Sequence, residues 1–336
     1  MNPEYKKLFD SLKEEKEDLR VNSRVLIIDA LNTFLRSFAA IGWVDKNLSH
    51  IGGLTGFLRS LGYAIKLVRP TRVVIVFDGK GSSTNKRYIY PEYKANRGLT
   101  KITTWEVFET QQDESDAIKA QIVRLVEYLK TLPVDLISID KIEADDVIGW
   151  MTSQLDGKIT IMSSDRDYLQ LVDDRINIYS PTKKKFYDTK AVTEEYGVTP
   201  KNFLTQKILL GDSGDNVPGV KGLGSKTMLK LFPQLGSDEE ISLDNILENC
   251  EGKAKVLSSI KNYEHQLRIN KLLMDLKNPN IPEDGQEEIK SVLLNPNKHF
   301  SSQDFVRLYQ EDDLGNSIPN TQMWLFNSFN ELQKYK

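Results

Sequence analysis

Short unbroken apolar runs punctuate the first half of the chain. Val25-Leu-Ile-Ile-Asp29, Val73-Val-Ile-Val-Phe-Asp78 and Ile159-Thr-Ile-Met162 are β-rich and do not alternate with polar residues. That pattern predicts strands covered on both faces, as in parallel sheets. Asp135 to Asp140 reads as a fourth strand, and Ile176 to Tyr179 as an edge strand. Between them the period changes: Ile118, Ile122, Leu125, Val126 and Leu129 form one helical stripe within Ala117 to Leu132. Strand–helix alternation over 23–195 predicts an α/β domain with a mostly parallel central sheet flanked by helices. From about Gly197 the strand pattern gives way to helical patterns with glycine turns, predicting a smaller α-helical region over 196–300. A separate C-terminal region, 301–336, carries an aromatic patch at Trp324 and Phe326. A charged N-terminal arm, 1–22, places Tyr5, Leu8, Phe9 and Leu12 on a narrow apolar stripe.

Composition narrows the chemistry. The 336 residues are 39% hydrophobic and 28% charged, ordinary for a globular protein. No apolar run approaches the ~20 residues of a membrane span, and the N-terminus is too charged for a secretory signal. One cysteine, Cys250, precludes an internal disulfide or a cysteine zinc cluster and suits a reducing cytoplasm. His50, His265 and His299 are too scattered for a zinc ligand set. Metal chemistry here would therefore be carboxylate chemistry, which favours magnesium or manganese. The net charge of −3 is unevenly spread: Lys80, Lys86, Arg87, Lys94, Arg97 and Lys101 stand against one acid, Glu92, and Trp105 to Asp116 then carries five acids and no base. Such runs often mark solvated faces, but local fields rather than the total decide where a polyanion docks.

Asp29, Asp78 and Asp165 follow three predicted strands, and ligands bind at that edge of an open parallel sheet. Like charges gathered there repel unless a cation lies between them. Asp167 stands in the adjoining loop. Glu143, Asp145 and Asp146 open a predicted helix, with Glu143 and Asp146 on one face. Complementing the helix dipole accounts for one or two such acids; three in four residues exceed it. Asp212 and Asp215 repeat the spacing in Gly211-Asp-Ser-Gly-Asp-Asn216, which in isolation reads as an ordinary turn. Together these carboxylates match the shell that two magnesium ions ~4 Å apart require for phosphodiester hydrolysis. No histidine or serine nucleophile is evident.

The segment Val217-Pro-Gly-Val-Lys-Gly-Leu-Gly-Ser-Lys-Thr227 is not a P-loop, because Ser225 separates Gly224 from Lys226 and a helix rather than a strand is expected before it. It reads instead as two helices joined by a glycine hairpin. Lys221, Gly222, Gly224, Ser225, Lys226 and Lys230 then present amides and charge to a DNA phosphate.

With these motifs in place, the chain resembles the 5′-nuclease superfamily of 5′→3′ exonucleases and flap endonucleases, most closely its T-even-phage-type ribonuclease H branch. The likeness rests on Asp29-Ala-Leu-Asn32, Phe77-Asp78-Gly79, Tyr93-Lys94-Ala-Asn-Arg97-Gly98, Glu143-Ala-Asp-Asp146, Ser164-Asp165-Arg-Asp167 and Gly211-Asp-Ser-Gly-Asp-Asn216, over roughly 23 to 233. It implies a PIN-like α/β fold with a helix–three-turn–helix element. Asp29, Asp78, Glu143, Asp145, Asp146 and Asp165 would hold a first Mg2+, and Asp167, Asp212 and Asp215 would complete a second site. Mn2+ would substitute, and K+ would sit at the hairpin. Lys94 and Arg97 would reach the scissile phosphate from the base of an arch within 80–116, Tyr93 would stack on a base, and Arg36 would bind phosphate. The implied activity is removal of RNA primers and 5′ flaps from DNA and RNA–DNA hybrids during replication. A sliding clamp at the N-terminal arm and a single-stranded-DNA-binding protein at the C-terminal region are the expected partners of a monomer in the cytoplasm, or the host cytoplasm if phage-encoded. The length leaves no room for a polymerase, so a free-standing nuclease is expected. Arg166 departs from the glycine that many relatives carry between the two aspartates.

Two other readings compete. A non-catalytic DNA-structure binder on this fold would have no use for clustered carboxylates beside phosphates. A haloacid-dehalogenase-like phosphatase needs an aspartate two residues after the first, where this chain has Leu31.

Overall fold

Val25, Leu26, Ile27 and Ile28 are each at most 1% exposed, so each contributes ~1.5–3 kcal/mol of burial free energy. They can all be buried because their strand is covered on both faces. The computed structural model describes residues 20–97, 103, 105–250 and 255–335. Tyr5, Leu8, Phe9 and Leu12, and Lys101 of the basic run, lie outside the described residues.

Six strands form the main sheet: β1 (Arg24–Asp29), β2 (Arg72–Val76), β3 (Asp135–Ile137), β4 (Lys158–Met162), β5 (Ile176–Ser180) and β6 (Lys185–Tyr187). Their order is β3-β2-β1-β4-β5-β6, parallel except for β6. The strand order reverses beside β1, which pairs with β2 and β4, and a crevice opens at such a switch point. The residues after β1, β2 and β4 therefore converge.

Side chains alternate across the sheet. Val25, Ile27, Val74 and Val76 face a core shared with Val147, Ile148 and Met151, and with Phe203, Ile208 and Leu209. Leu26, Ile28, Val73 and Ile75 face the opposite core, with Phe34, Phe57, Leu58, Leu125 and Leu129. The helices behind these faces are α1 (Ala30–Ala40), α2 (Gly52–Val68), α3 (Thr84–Ile89), α4 (Gln111–Lys130), α5 (Ala144–Gln154), α6 (Thr189–Tyr196) and α7 (Pro200–Leu210). After the sheet come α8 (Ser225–Leu231), α9 (Leu243–Glu248), α10 (Lys255–Asn262), α11 (Glu264–Met274) and α12 (Glu283–Leu294), then α13 (Ser302–Glu311) and α14 (Thr321–Phe329). Phe305, Leu308, Leu325 and Phe329 of the last two pack into the same core as α1 and α2.

Several expectations need correction. Ile176–Ser180 is an internal strand, because Lys185–Tyr187 folds back antiparallel as the edge. β3 stops at Ile137 rather than Asp140, since the chain leaves the sheet to wrap Gly79, whose amide donates to Ile142 O (3.1 Å). The stripe helix begins at Gln111, where a reciprocal cap between Thr110 and Asp113 starts it. The helix expected before the glycine segment is α7, and between them a short hairpin forms, β7 (Gly211–Asp212) with β8 (Val217–Pro218), whose second strand opens that segment. Gly211 has φ +70, and a Cβ there would lie 2.3 Å from Gly219 N, so this crossing requires glycine.

Candidate metal and nucleic-acid site

Asp29 ends β1 and caps α1, accepting from Asn32 N at 3.1 Å. Its other oxygen accepts from Ser163 Oγ (3.2 Å) and Tyr168 OH (3.1 Å). Those donors come from the loop after β4, so the capping aspartate ties two neighbouring strands together. Ser163 Oγ also accepts from Asp165 N (3.1 Å), and Asp165 accepts from Asp167 N (3.0 Å). Arg166 adopts φ −76, ψ −15, an ordinary helical conformation, so this turn needs no glycine.

Asp78 lies two residues past β2. Its Oδ1 accepts from Ala144 N (3.1 Å), at the start of α5. Gly79 makes this possible, since a Cβ there would lie 1.7 Å from Ile139 O. Glu143 precedes the helix and is 2% exposed, receiving hydrogen bonds from Ser83 Oγ (2.9 Å), Tyr93 OH (2.8 Å), Lys86 Nζ (3.0 Å) and Lys94 Nζ (2.5 Å). Carboxylate oxygens of Glu143, Asp145 and Asp146 lie within 4.8 Å of one another.

The helical region closes the site. Lys207 of α7 bridges Asp167 and Asp212 (3.0 Å to the latter). Asp212 in turn accepts from Gly214 N (2.8 Å), shaping the turn that carries Asp215. Asp215 pairs with Arg97 Nη2 (2.5 Å), and its carbonyl accepts from Lys94 N (2.8 Å). The base of the basic segment is thus fastened to the hairpin. The stacking expected of Tyr93 is not what this arrangement offers: its side chain packs with Val217, Leu273 and Met274, is 2% exposed, and its phenol donates to Glu143 and Asp215.

Charge is matched unevenly. Lys86, Lys94, Arg97 and Lys207 pair with Glu143, Asp145, Asp146, Asp167, Asp212 and Asp215. Asp29, Asp78 and Asp165 form no ion pair among the described residues. Burial, then Asp78 and Asp165, push the Asp29 carboxyl up to about 7 against the opposing Asn32 bond. Burial also raises Asp78, Asp145 and Asp167, and takes Asp146 up to about 7 despite Lys86. Glu143 is held well below its usual range, because Lys86 and Lys94 outweigh its burial. An oxygen-only donor set, short of positive charge at the strand ends, fits hard divalent cations.

Two clefts flank the carboxylates. One of about 200 Å3 runs past Arg166, Asp167, Lys207 and Asp212 to Ser225, joining the start of α8 to the site. Another of about 490 Å3 is lined by Arg36, Ser163, Ser164, Asp165 and Arg166; Arg36 Nε bonds Asn32 Oδ1 (3.2 Å). Lys221, Gly222, Gly224, Ser225 and Lys226 are exposed at the glycine segment, with Gly222 at φ +83.

Sequence reasoning missed Lys86, Lys207 and Tyr168. Lys207 had a signal: a lysine amid the apolar residues of Phe203 to Leu210 needs a buried partner. Lys86 sat unremarked within the basic run, and nothing local marked Tyr168.

A family model described as 5′-3′ exonuclease, N-terminal resolvase-like domain, matches residues 24–197. One described as 5′-3′ exonuclease, C-terminal SAM fold, matches residues 198–290. The chain is 31% identical over 255 residues to a 5′-3′ exonuclease of Buchnera aphidicola subsp. Acyrthosiphon pisum (strain APS), covering 74% of this chain and 82% of that one. It is likewise 31% identical over 256 residues to a 5′-3′ exonuclease of Aquifex aeolicus (strain VF5), with the same coverage. Its fold is similar to that of T5 5′-exonuclease with bound zinc, at a TM-score of 0.67 and 21% identity, over 81% of this chain and 99% of that one.

Proposed function

The chain belongs to the 5′-3′ exonuclease family, and from that premise we propose that it is a magnesium-dependent 5′→3′ exonuclease and flap endonuclease that removes RNA primers and 5′ flaps during DNA replication. The observation that carries this reading is the cluster of Glu143, Asp145 and Asp146 oxygens within 4.8 Å of one another, beside Asp29, Asp78 and Asp165 at three strand ends. Asp29, Asp78, Glu143, Asp145, Asp146 and Asp165 would hold one ion, and Asp167, Asp212 and Asp215 would complete a second site. Such a pair supplies an activated water and neutralises phosphate charge.

The chain's own residues do the rest. Lys94 stands over Glu143 with its ammonium beside the carboxylates, positioned to pair with a phosphate that enters there. Arg97, whose side chain is 58% exposed, bonds Asp215 from the solvent side and can swing onto the same strand. Arg36 lines the cleft beside Asp165 and would hold a neighbouring phosphate. Lys221, Lys226 and the open amides around Gly222, Gly224 and Ser225 would grip duplex backbone, with K+ at the hairpin carbonyls. Contacts of this kind read backbone rather than bases, so selection is by structure. A sliding clamp and a single-stranded-DNA-binding protein remain the proposed partners of a cytoplasmic monomer.

The test is product mapping on 5′-labelled flap, nicked and RNA–DNA hybrid substrates with magnesium, alongside Asp165→Asn. Short 5′ products that vanish in the variant, with binding within about threefold of wild type, are expected, since one neutralised carboxylate removes a metal contact and little DNA surface. DNA binding without cleavage by the wild type would refute the proposal.

A further inference from the structure

Lys86 is the most enclosed of the site's cations. It belongs to α3, is 7% exposed, and lines neither of the clefts described above. Its ammonium lies 3.0 Å from Glu143 Oε2, 3.0 Å from Asp146 Oδ2 and 3.7 Å from Asp145 Oδ1. Those are the three residues whose oxygens cluster within 4.8 Å. The ring of Tyr93 lies 5.8 Å away. Its two close contacts are both carboxylates, and a third carboxylate stands beside it, so its charge is engaged inside the cluster rather than offered to solvent. Lys94 and Arg97 differ: each touches one or two carboxylates, and Arg97 is largely exposed.

We propose that Lys86 is a resident counter-cation of the metal centre, a positioning residue that occupies the Glu143–Asp145–Asp146 cluster with fixed charge and limits how tightly divalent ions are held. This rests on the metal-centre reading above. The physical argument is one of competition. Glu143 and Asp146 spend their charge on an ammonium that cannot leave, so the demand for added cations falls on Asp29, Asp78 and Asp165, which form no ion pair among the described residues. A fixed positive charge a few ångströms from an incoming dication opposes it strongly where water is scarce. The same ammonium holds the three carboxylates together before any ion arrives, since removing one partner of a buried pair leaves uncompensated charge. A centre tempered in this way binds ions without being locked by them.

The experiment is calorimetric titration of the full chain with Mn2+ in metal-free buffer, for wild type, Lys86→Gln and Lys86→Arg, with circular dichroism to verify folding. Lys86→Gln is expected to bind Mn2+ about tenfold more tightly, and Lys86→Arg to stay within about threefold of wild type, because it keeps the charge. Unchanged or weaker binding in Lys86→Gln overturns the inference while leaving the metal centre intact. No Mn2+ binding by the wild type overturns the metal-centre reading itself. Should Lys86→Gln not fold, Lys86→Gln with Asp146→Asn is compared with Asp146→Asn alone. Tighter binding in the pair supports the proposal, and equal or weaker binding overturns it.

Discussion

Replacing Asp29 by asparagine should stabilise the metal-free protein at alkaline pH and leave it no more stable at acidic pH. Asp29 is 8% exposed and its carboxyl titrates at about 7 in the fold, against 3.8 for the free side chain. The folded state therefore binds more protons than the unfolded state between those values, and stability falls as pH rises through that window. Roughly three units at ~1.4 kcal/mol each put the cost of an ionised Asp29 at about 4 kcal/mol by about pH 8. Asparagine removes that cost but gives up acceptance from Ser163 Oγ and Tyr168 OH, together ~2 kcal/mol. A net gain of about 2 kcal/mol corresponds to roughly 3 °C in Tm for 336 residues, at ~2.1 cal/mol/K of unfolding entropy per residue. At about pH 5 the ionisation cost is only ~1.6 kcal/mol, so the two proteins should melt within about 1 °C of one another. Thermal melts of both in EDTA across this range are the assay. Magnesium should then raise the wild type's Tm more than the variant's, because only the wild type keeps the full ligand set. An Asp29→Asn protein less stable than wild type at about pH 8, or a difference that does not change with pH, would refute the reasoning.

Lys94→Ala should slow single-turnover cleavage by ~10²–10³-fold, since it removes a charge placed to meet phosphate; an unchanged rate would put Lys94 outside the chemistry. Lys207→Met strands Asp167 and Asp212, and should cost about 3 kcal/mol in EDTA by urea melts. Added magnesium should recover part of that loss, and a variant equally unstable with and without it would argue for a purely structural lysine. Gly79→Ala should be among the most damaging changes outside the core, because its Cβ would meet the Ile139 carbonyl. A loss of more than ~3 kcal/mol is expected, and a wild-type melting curve would show that the 138–142 loop yields.

Much of the site was legible in the chain because its information is local. Apolar runs such as Val25–Ile28 can only be strands covered twice, and an aspartate that follows such a run falls on the ligand edge. Three such runs placed Asp29, Asp78 and Asp165, and spacing alone gathered Glu143, Asp145 and Asp146 on one helical turn. Tertiary structure decided what depends on residues distant in sequence. Gly79 had to approach the 139–142 loop before Asp78 could cap α5. Lys207 had to come from the helical region to Asp167, 40 positions away. Tyr93 was expected to stack and instead lies buried against Glu143 and Asp215, because Val217, Leu273 and Met274 close over it. Residue type and period fix which groups stand at an edge of the sheet. Which cation neutralises which carboxylate depends on packing between elements, and among the described residues that packing leaves Asp29, Asp78 and Asp165 without an ion pair.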